Sequence, residues 1–201
     1  SATTGLDHID LEYAKEQGIE IISLRGERNF LDTITGTAEL AWGLVLDLVR
    51  NISASSGSVK KYEWDRMRFT GTQLFGKTLG IVGLGRLGTM MAKYAHAFGM
   101  KVIAYDPHQI SSDIARLVNF NTLLSESDII SIHVHLSKET ENMFQKEEFK
   151  KMKDTAYLVN TARGAIVNES DLLQALENKT ITGYAADVLE SEIEFEKDSS
   201  T

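Results

Sequence analysis

The stretch TLGIVGLGRLGTMMAKYAHAFGMKVIAYDP, residues 78–107, constrains the fold more than any other part of the chain. An apolar run at 78–82 leads into three glycines, Gly83, Gly85 and Gly88. Beyond them Leu87, Met90, Met91, Tyr94 and Phe98 recur at three- and four-residue spacing, which predicts a helix over 86–98. A second apolar run, 101–105, then ends at Asp106. Strand, glycine turn, amphipathic helix, strand is a parallel crossover, and a parallel sheet must be covered on both faces.

The same alternation continues. The pattern predicts a helix at 112–117, a short strand near 118–120, a helix at 122–127 and a strand at 129–134. A helix at 146–152, a strand at 156–160, a helix at 169–178 and a strand at 181–186 follow. The fold class is therefore α/β, with a doubly wound parallel sheet. Upstream, residues 6–24 read as a helix with Asp7 as N-cap and Gly18 as its stop, then a strand at 19–24. That strand has no local partner, so it belongs to another sheet. Residues 37–50 form a helix that is apolar nearly all round. Leu40, Leu44, Val45 and Leu48 share one face, with Trp42, Leu46 and Val49 on others, as in a helix buried between two bodies. Residues 51–72 read as polar loop apart from Trp64 and Phe69.

Two segments match phosphate-binding patterns. GTQLFGKT, residues 71–78, fits the P-loop spelling, but a strand follows it where a helix should. Leu74 and Phe75 would also crowd a phosphate cradle, so we read it as a chance match. GLGRLG sits in the right context, between strand and helix. Asp106 ends the next strand 18 residues past Gly88, against roughly 20 in the dinucleotide fingerprint. Its carboxylate suits the adenine ribose hydroxyls and would repel a 2′-phosphate, which points to NAD as cofactor. YLVNTARGAIVNE, residues 157–169, ends a strand with a guanidinium, Arg163. A buried cation is costly unless it is met. Arg163 either pairs with an acid such as Asp187 or meets an anionic ligand.

Composition narrows the partners. A net charge of -8 argues against nucleic acid, and no apolar stretch nears the roughly 20 residues of a membrane span. The absence of cysteine fits a cytoplasmic protein. The chain opens on Ser1 without a signal segment, as expected of a processed, tagged or cut sequence. Among five histidines, His133 and His135 lie two apart on a strand; no third ligand is evident, so no metal is expected.

Seven segments together, TTGLDHIDLEYAKEQGI, TAELAWGLVLDLVR, GKTLGIVGLGRLG, AFGMKVIAYDP, SDIISIHVHL, VNTARGAIVNE and AADVLESE, closely resemble the NAD-dependent D-2-hydroxyacid dehydrogenase family. The resemblance implies two α/β domains. Residues 1–32 would be a fragment of a flavodoxin-like substrate domain, and 33–190 a Rossmann NAD-binding domain that includes an interdomain and dimer helix at 37–50. Residues 191–201 would lead back to the substrate domain. It implies Arg163 and Glu192 as catalytic residues: Arg163 holds the substrate carboxylate, and Glu192 pairs with a catalytic histidine some tens of residues further on. Thr4 and Gly5 match the loop that receives the substrate carboxylate. Gly83, Gly85, Arg86, Leu87, Gly88, Asp106, Val134, His135, Thr140, Thr161, Ala162 and Asp187 match cofactor-binding positions. Three departures stand out. The family usually has proline where His135 stands and where Ile193 follows Glu192, which leaves Glu190 a rival for that role; the catalytic histidine lies outside these residues. The implied activity is hydride transfer between NAD(H) and C2 of a small 2-hydroxy or 2-keto acid, in a homodimer. These residues alone are expected to bind NAD without turnover. The rival reading is an NAD-sensing, co-repressor-like binding protein on the same fold.

Overall fold

The structure, a computed structural model, describes residues 5–6, 9–24 and 26–190, the Arg28 side chain aside. The chain forms two compact units, Ser1–Thr35 and Gly36–Thr201. The smaller holds helix α1 (Leu11–Glu16) and a single turn, α2 (Arg28–Leu31). Asp10 caps α1, its side chain accepting from the Tyr13 N–H at 2.9 Å, so the cap falls three residues after the expected Asp7, which lies outside the described residues. Gly18, at φ +66°, ends the helix as its position suggests. The strand expected at 19–24 does not form. A strand exists only as part of a ladder, and the described residues of this unit supply no second strand.

The larger unit begins with α3 (Gly36–Arg50) and α4 (Ile52–Lys60). Six parallel strands follow, β1 (Thr78–Val82), β2 (Lys101–Tyr105), β3 (Arg116–Leu117), β4 (Ile129–Ile132), β5 (Tyr157–Asn160) and β6 (Gly183–Ala186). Helices α5 (Arg86–Ala97), α6 (Phe120–Glu126), α7 (Lys146–Lys151) and α8 (Glu169–Glu177) connect them. The sheet order is β3-β2-β1-β4-β5-β6. The chain therefore winds outward from β1 to β3, returns to the centre, and winds the other way from β4. The point of reversal lies between β1 and β4, where open α/β sheets bind ligands.

Alternate side chains of the strands feed two cores. On one face Leu79, Ile81, Ile129 and Val159 meet Ala41, Val45 and Val49 of α3 and Met91, Ala92 and Ala95 of α5. On the other, Val82, Ile103, Ile130, Ile132 and Leu158 meet Leu123, Phe149 and Leu172 of α6, α7 and α8. Each Val, Leu, Ile, Phe or Met among them is worth about 1.5–3 kcal/mol against exposure. The two cores, more than helix propensity, therefore hold the sheet between its helical layers.

Three local readings change. Residues 51–72 are not all loop: α4 forms although it buries only Ser58, because Asp47 accepts the Ser53 N–H at 2.6 Å just past the bend at Asn51. No apolar period marks it. The helix expected at 112–117 is a turn, since the Ser112 hydroxyl accepts the N–H groups of Ile114 and Ala115, both at 3.2 Å, and β3 takes up Arg116–Leu117. On α3 the buried face is Ala38, Ala41, Trp42, Val45 and Val49, while Leu40 is 46% exposed. Small alanines let the helix approach the sheet, and leucine size alone misidentifies the inner face. Among the described residues no helix is long and apolar enough to cross a membrane.

A Cβ on Gly88 would collide with the carbonyl oxygen of Gly83 and press on Ile81. Gly88→Ala should therefore cost about 1–3 kcal/mol of unfolding free energy, as overpacking does. Urea denaturation checks it, and an unchanged midpoint would mean that α5 does not need this close approach.

Candidate cofactor and active site

All six strands are parallel, so the residues that follow them gather on one edge of the sheet. After β1, Gly83 turns at φ +91°, and its N–H donates to the Tyr105 carbonyl at 2.9 Å. A Cβ there would stand 2.7 Å from the His133 carbonyl oxygen, too close for any other residue. At Gly85, the N-cap of α5, a Cβ would meet nothing within 4 Å. An open glycine at a helix N-terminus is a cradle for an anion. Arg86 and Leu87, both half-buried, flank it. The P-loop look-alike enters β1 from the opposite edge, with the Phe75 ring over Gly99.

Asp106 follows β2. One carboxylate oxygen accepts the Leu84 N–H at 2.9 Å, and the other accepts the His108 N–H at 2.9 Å. The acid is thus pinned to the glycine turn. A carboxylate offers about four acceptor positions, which leaves room for two hydroxyls.

After β4, the His133 N–H donates to the Val82 carbonyl at 2.7 Å. Val134 is half-buried and His135 exposed. Thr140 closes the following turn, its hydroxyl donating to the His135 carbonyl at 2.7 Å and accepting the Ser137 N–H at 2.8 Å. The His133 Nε2 lies 2.8 Å from the buried Ser131 hydroxyl, while its Nδ1 is sealed with no partner among the described residues. Burial lowers the pKa of this imidazole to about 4, so it is neutral. Strand β4 ends at Ile132, short of the expected 134, because the backbone leaves the ladder to pass Gly83.

After β5 comes the NTARG turn. Asn160, wholly buried, holds it: its side-chain oxygen accepts the Ala162 N–H at 3.0 Å, and its NH₂ donates to the Arg163 carbonyl at 2.9 Å. The Thr161 hydroxyl is buried with no partner among the described residues. Half-buried Arg163 donates from Nη1 to the Ala162 carbonyl at 2.7 Å. Next, a Cβ on Gly164 would collide with the backbone of Leu189 and Glu190, the exit of β6 that carries Asp187. Glu190 is tied to α8, its N–H donating to Glu169 Oε1 at 2.7 Å. The loop after β4 joins this group through Asn142, whose N–H meets the Ala165 carbonyl at 2.8 Å.

The structure thus brings together Gly83, Gly85, Arg86, Leu87, Gly88, Asp106, Val134, His135, Thr140, Thr161, Ala162, Arg163 and Asp187 along one edge. Gly5 belongs to the smaller unit, and Thr4 and Glu192 lie outside the described residues. Sequence reasoning missed Asn160 as a structural clamp. An asparagine two residues before a backbone N–H at a strand end is the signal that could have found it. The open Gly85, the half-used Asp106 and the N-terminus of α5 fit a dinucleotide.

Comparison with known proteins agrees. Residues 42–200 match the model of the D-isomer specific 2-hydroxyacid dehydrogenase, NAD binding domain. The chain is 40% identical to a hydroxypyruvate reductase of Thermotoga maritima, covering 95% of this chain and 61% of that protein. It is 42% identical to a glyoxylate reductase of Thermococcus litoralis, covering 94% and 59%. Among solved structures, a D-lactate dehydrogenase of Aquifex aeolicus complexed with NAD and lactic acid superposes with a TM-score of 0.87 at 35% identity, covering 98% of this chain and 60% of that one.

The buried imidazole makes a pH prediction. Unfolded, His133 takes a proton below its ordinary 6.5; folded, it stays neutral down to about 4. Stability should therefore fall as pH drops through that window and level off below it, by on the order of 3 kcal/mol. His133→Asn should remove this slope, leaving that of the carboxylates common to both proteins. Parallel pH profiles of unfolding free energy for the two would contradict it.

Proposed function

The chain belongs to the D-isomer specific 2-hydroxyacid dehydrogenase family, and on that premise we propose that the whole protein is an oxidoreductase acting between NAD(H) and C2 of a small D-2-hydroxy or 2-keto acid. Arg163 carries the reading. It is a guanidinium clamped in a turn on the same sheet edge as the glycine loop. The planar fork of a guanidinium meets a carboxylate with two parallel hydrogen bonds.

Bound NAD supplies the hydride carrier. This chain's residues bind and orient the reactants. Gly83, Gly85 and Gly88 let the backbone and α5 amides receive the pyrophosphate, under Arg86 and Leu87. Asp106 takes the adenine ribose hydroxyls. Asp187 holds the nicotinamide carboxamide, while Val134, His135, Thr140, Thr161 and Ala162 line its pocket. Arg163 grips the substrate carboxylate and offsets negative charge as it develops on the C2 oxygen. Glu192 supports a histidine that moves the proton. Thr4 and Gly5 receive the substrate carboxylate through backbone amides.

We assign residues 1–32 to a substrate domain, residues 33–190 to the cofactor domain and 191–201 to the return between them. The separate compactness of Ser1–Thr35 supports this division. We also assign a homodimer, supported by the large exposed side chains Leu40, Trp64 and Met67 on and after α3. The cysteine-free sequence supports a cytoplasmic setting.

Two measurements on the full-length protein test the reading. Arg163→Lys keeps the charge but loses the fork, so kcat/KM for glyoxylate or hydroxypyruvate should fall by about 10²-fold while NAD affinity stays within roughly twofold. Near-normal turnover would make Arg163 structural. NAD should bind at least about tenfold tighter than NADP, and Asp106→Ala should shrink that gap, since each hydrogen bond to the charged acceptor is worth about 1.5–3 kcal/mol. Equal binding of both cofactors by the unsubstituted protein would refute the role of Asp106.

A further inference from the structure

We infer that Asn160 is the positioning residue that sets where the Arg163 guanidinium stands, a role that rests on the reading of Arg163 given above. Asn160 is the last residue of β5, in register with Ile132 of β4 and Ala186 of β6. Apolar Leu158 and Val159 precede it, and the position is wholly buried. A residue needed only for packing there would be apolar, because an amide costs free energy to bury unless it is bonded.

Its bonds explain the choice. The side-chain oxygen accepts the Ala162 N–H at 3.0 Å. The NH₂ donates to the Arg163 carbonyl at 2.9 Å. One amide therefore both accepts and donates across two successive residues. No apolar or purely accepting side chain can do this.

Arg163 depends on that turn. Its backbone is extended at φ -147° and ψ 141°, and Nη1 folds back onto the Ala162 carbonyl at 2.7 Å. That carbonyl belongs to the residue whose N–H Asn160 holds. On the other side Gly164 fits against Leu189 with no room for a Cβ. The arginine is thus fixed from both neighbours. Asn160 need not touch substrate to matter, because a displacement of about 1 Å at a reacting group can cost 10²-fold in rate.

The test uses full-length protein with Asn160→Ala and Asn160→Asp. The first readout is independent of turnover: the ¹⁵Nε–H resonance of Arg163, assigned by its loss in Arg163→Lys. It should be dispersed in the unsubstituted protein and move toward the solvent-averaged position in Asn160→Ala. NAD affinity by calorimetry should stay within about threefold. With hydroxypyruvate, kcat/KM should fall roughly 10–100-fold, mainly in kcat. Asn160→Asp should recover part of this loss as pH falls, because a protonated carboxyl regains the donor to the Arg163 carbonyl. If Asn160→Ala does not fold, Asn160→Asp carries the same comparisons. An unmoved Arg163 resonance overturns the inference, as does a loss of NAD affinity and melting temperature in step with rate. A moved resonance in a protein with no turnover of any 2-keto acid supports the positioning and overturns the functional reading alone.

Discussion

The His133 carbonyl oxygen occupies space that a Cβ on Gly83 would need, and the rest of the site follows from that contact. At the point where the sheet reverses its winding, β1 and β4 leave the ladder side by side. Their backbones pass closely only because residue 83 lacks a side chain and turns at φ +91°. The same turn puts the Gly83 carbonyl against Gly88, which seats α5 on the strand. It also brings the Leu84 N–H to Asp106. One steric constraint thus fixes the cradle, the helix that points into it and the acid beside it.

On the other half of the edge, hydrogen bonds do the work that steric fit does at Gly83. Asn160 closes the NTARG turn, Thr140 closes the turn after β4, and Asn142 and Glu169 bind the two loops to their neighbours. Polar side chains with complete sets of partners give direction as well as stability, since a misplaced donor leaves a buried group unmet. The Thr161 hydroxyl and His133 Nδ1, buried with no partner among the described residues, are exceptions, and both stand beside the edge.

Much of this was legible in the sequence. The strands at 78–82 and 101–105 coincide with β1 and β2 to the residue, because an apolar run bounded by glycine or charge leaves few alternatives. The glycine spacing announced the loop, and the strand-end position of Arg163 announced a charge at the edge. The misreadings share a cause. Helix α4 buries almost nothing and carries no period, and the turn at 112–115 is set by a serine hydroxyl, so local hydrogen bonds decided both. The strand at 19–24 failed because strand formation depends on partners that the pattern of one segment does not reveal. Asn160 escaped notice because its role is geometric: it acts two and three residues away, which composition does not express.

The central claim is that the dinucleotide lies across the C-terminal edge of the sheet, between the glycine turn and the NTARG turn. An amide-resolved NMR titration of NAD into the ¹⁵N-labelled full-length protein tests it most directly. The account predicts the largest shifts at residues 83–88, 106–108, 133–135 and 161–164, with the opposite edge around Lys77, Asp128 and Thr155 unmoved. Shifts centred on that opposite edge, or none at saturating NAD, would contradict it.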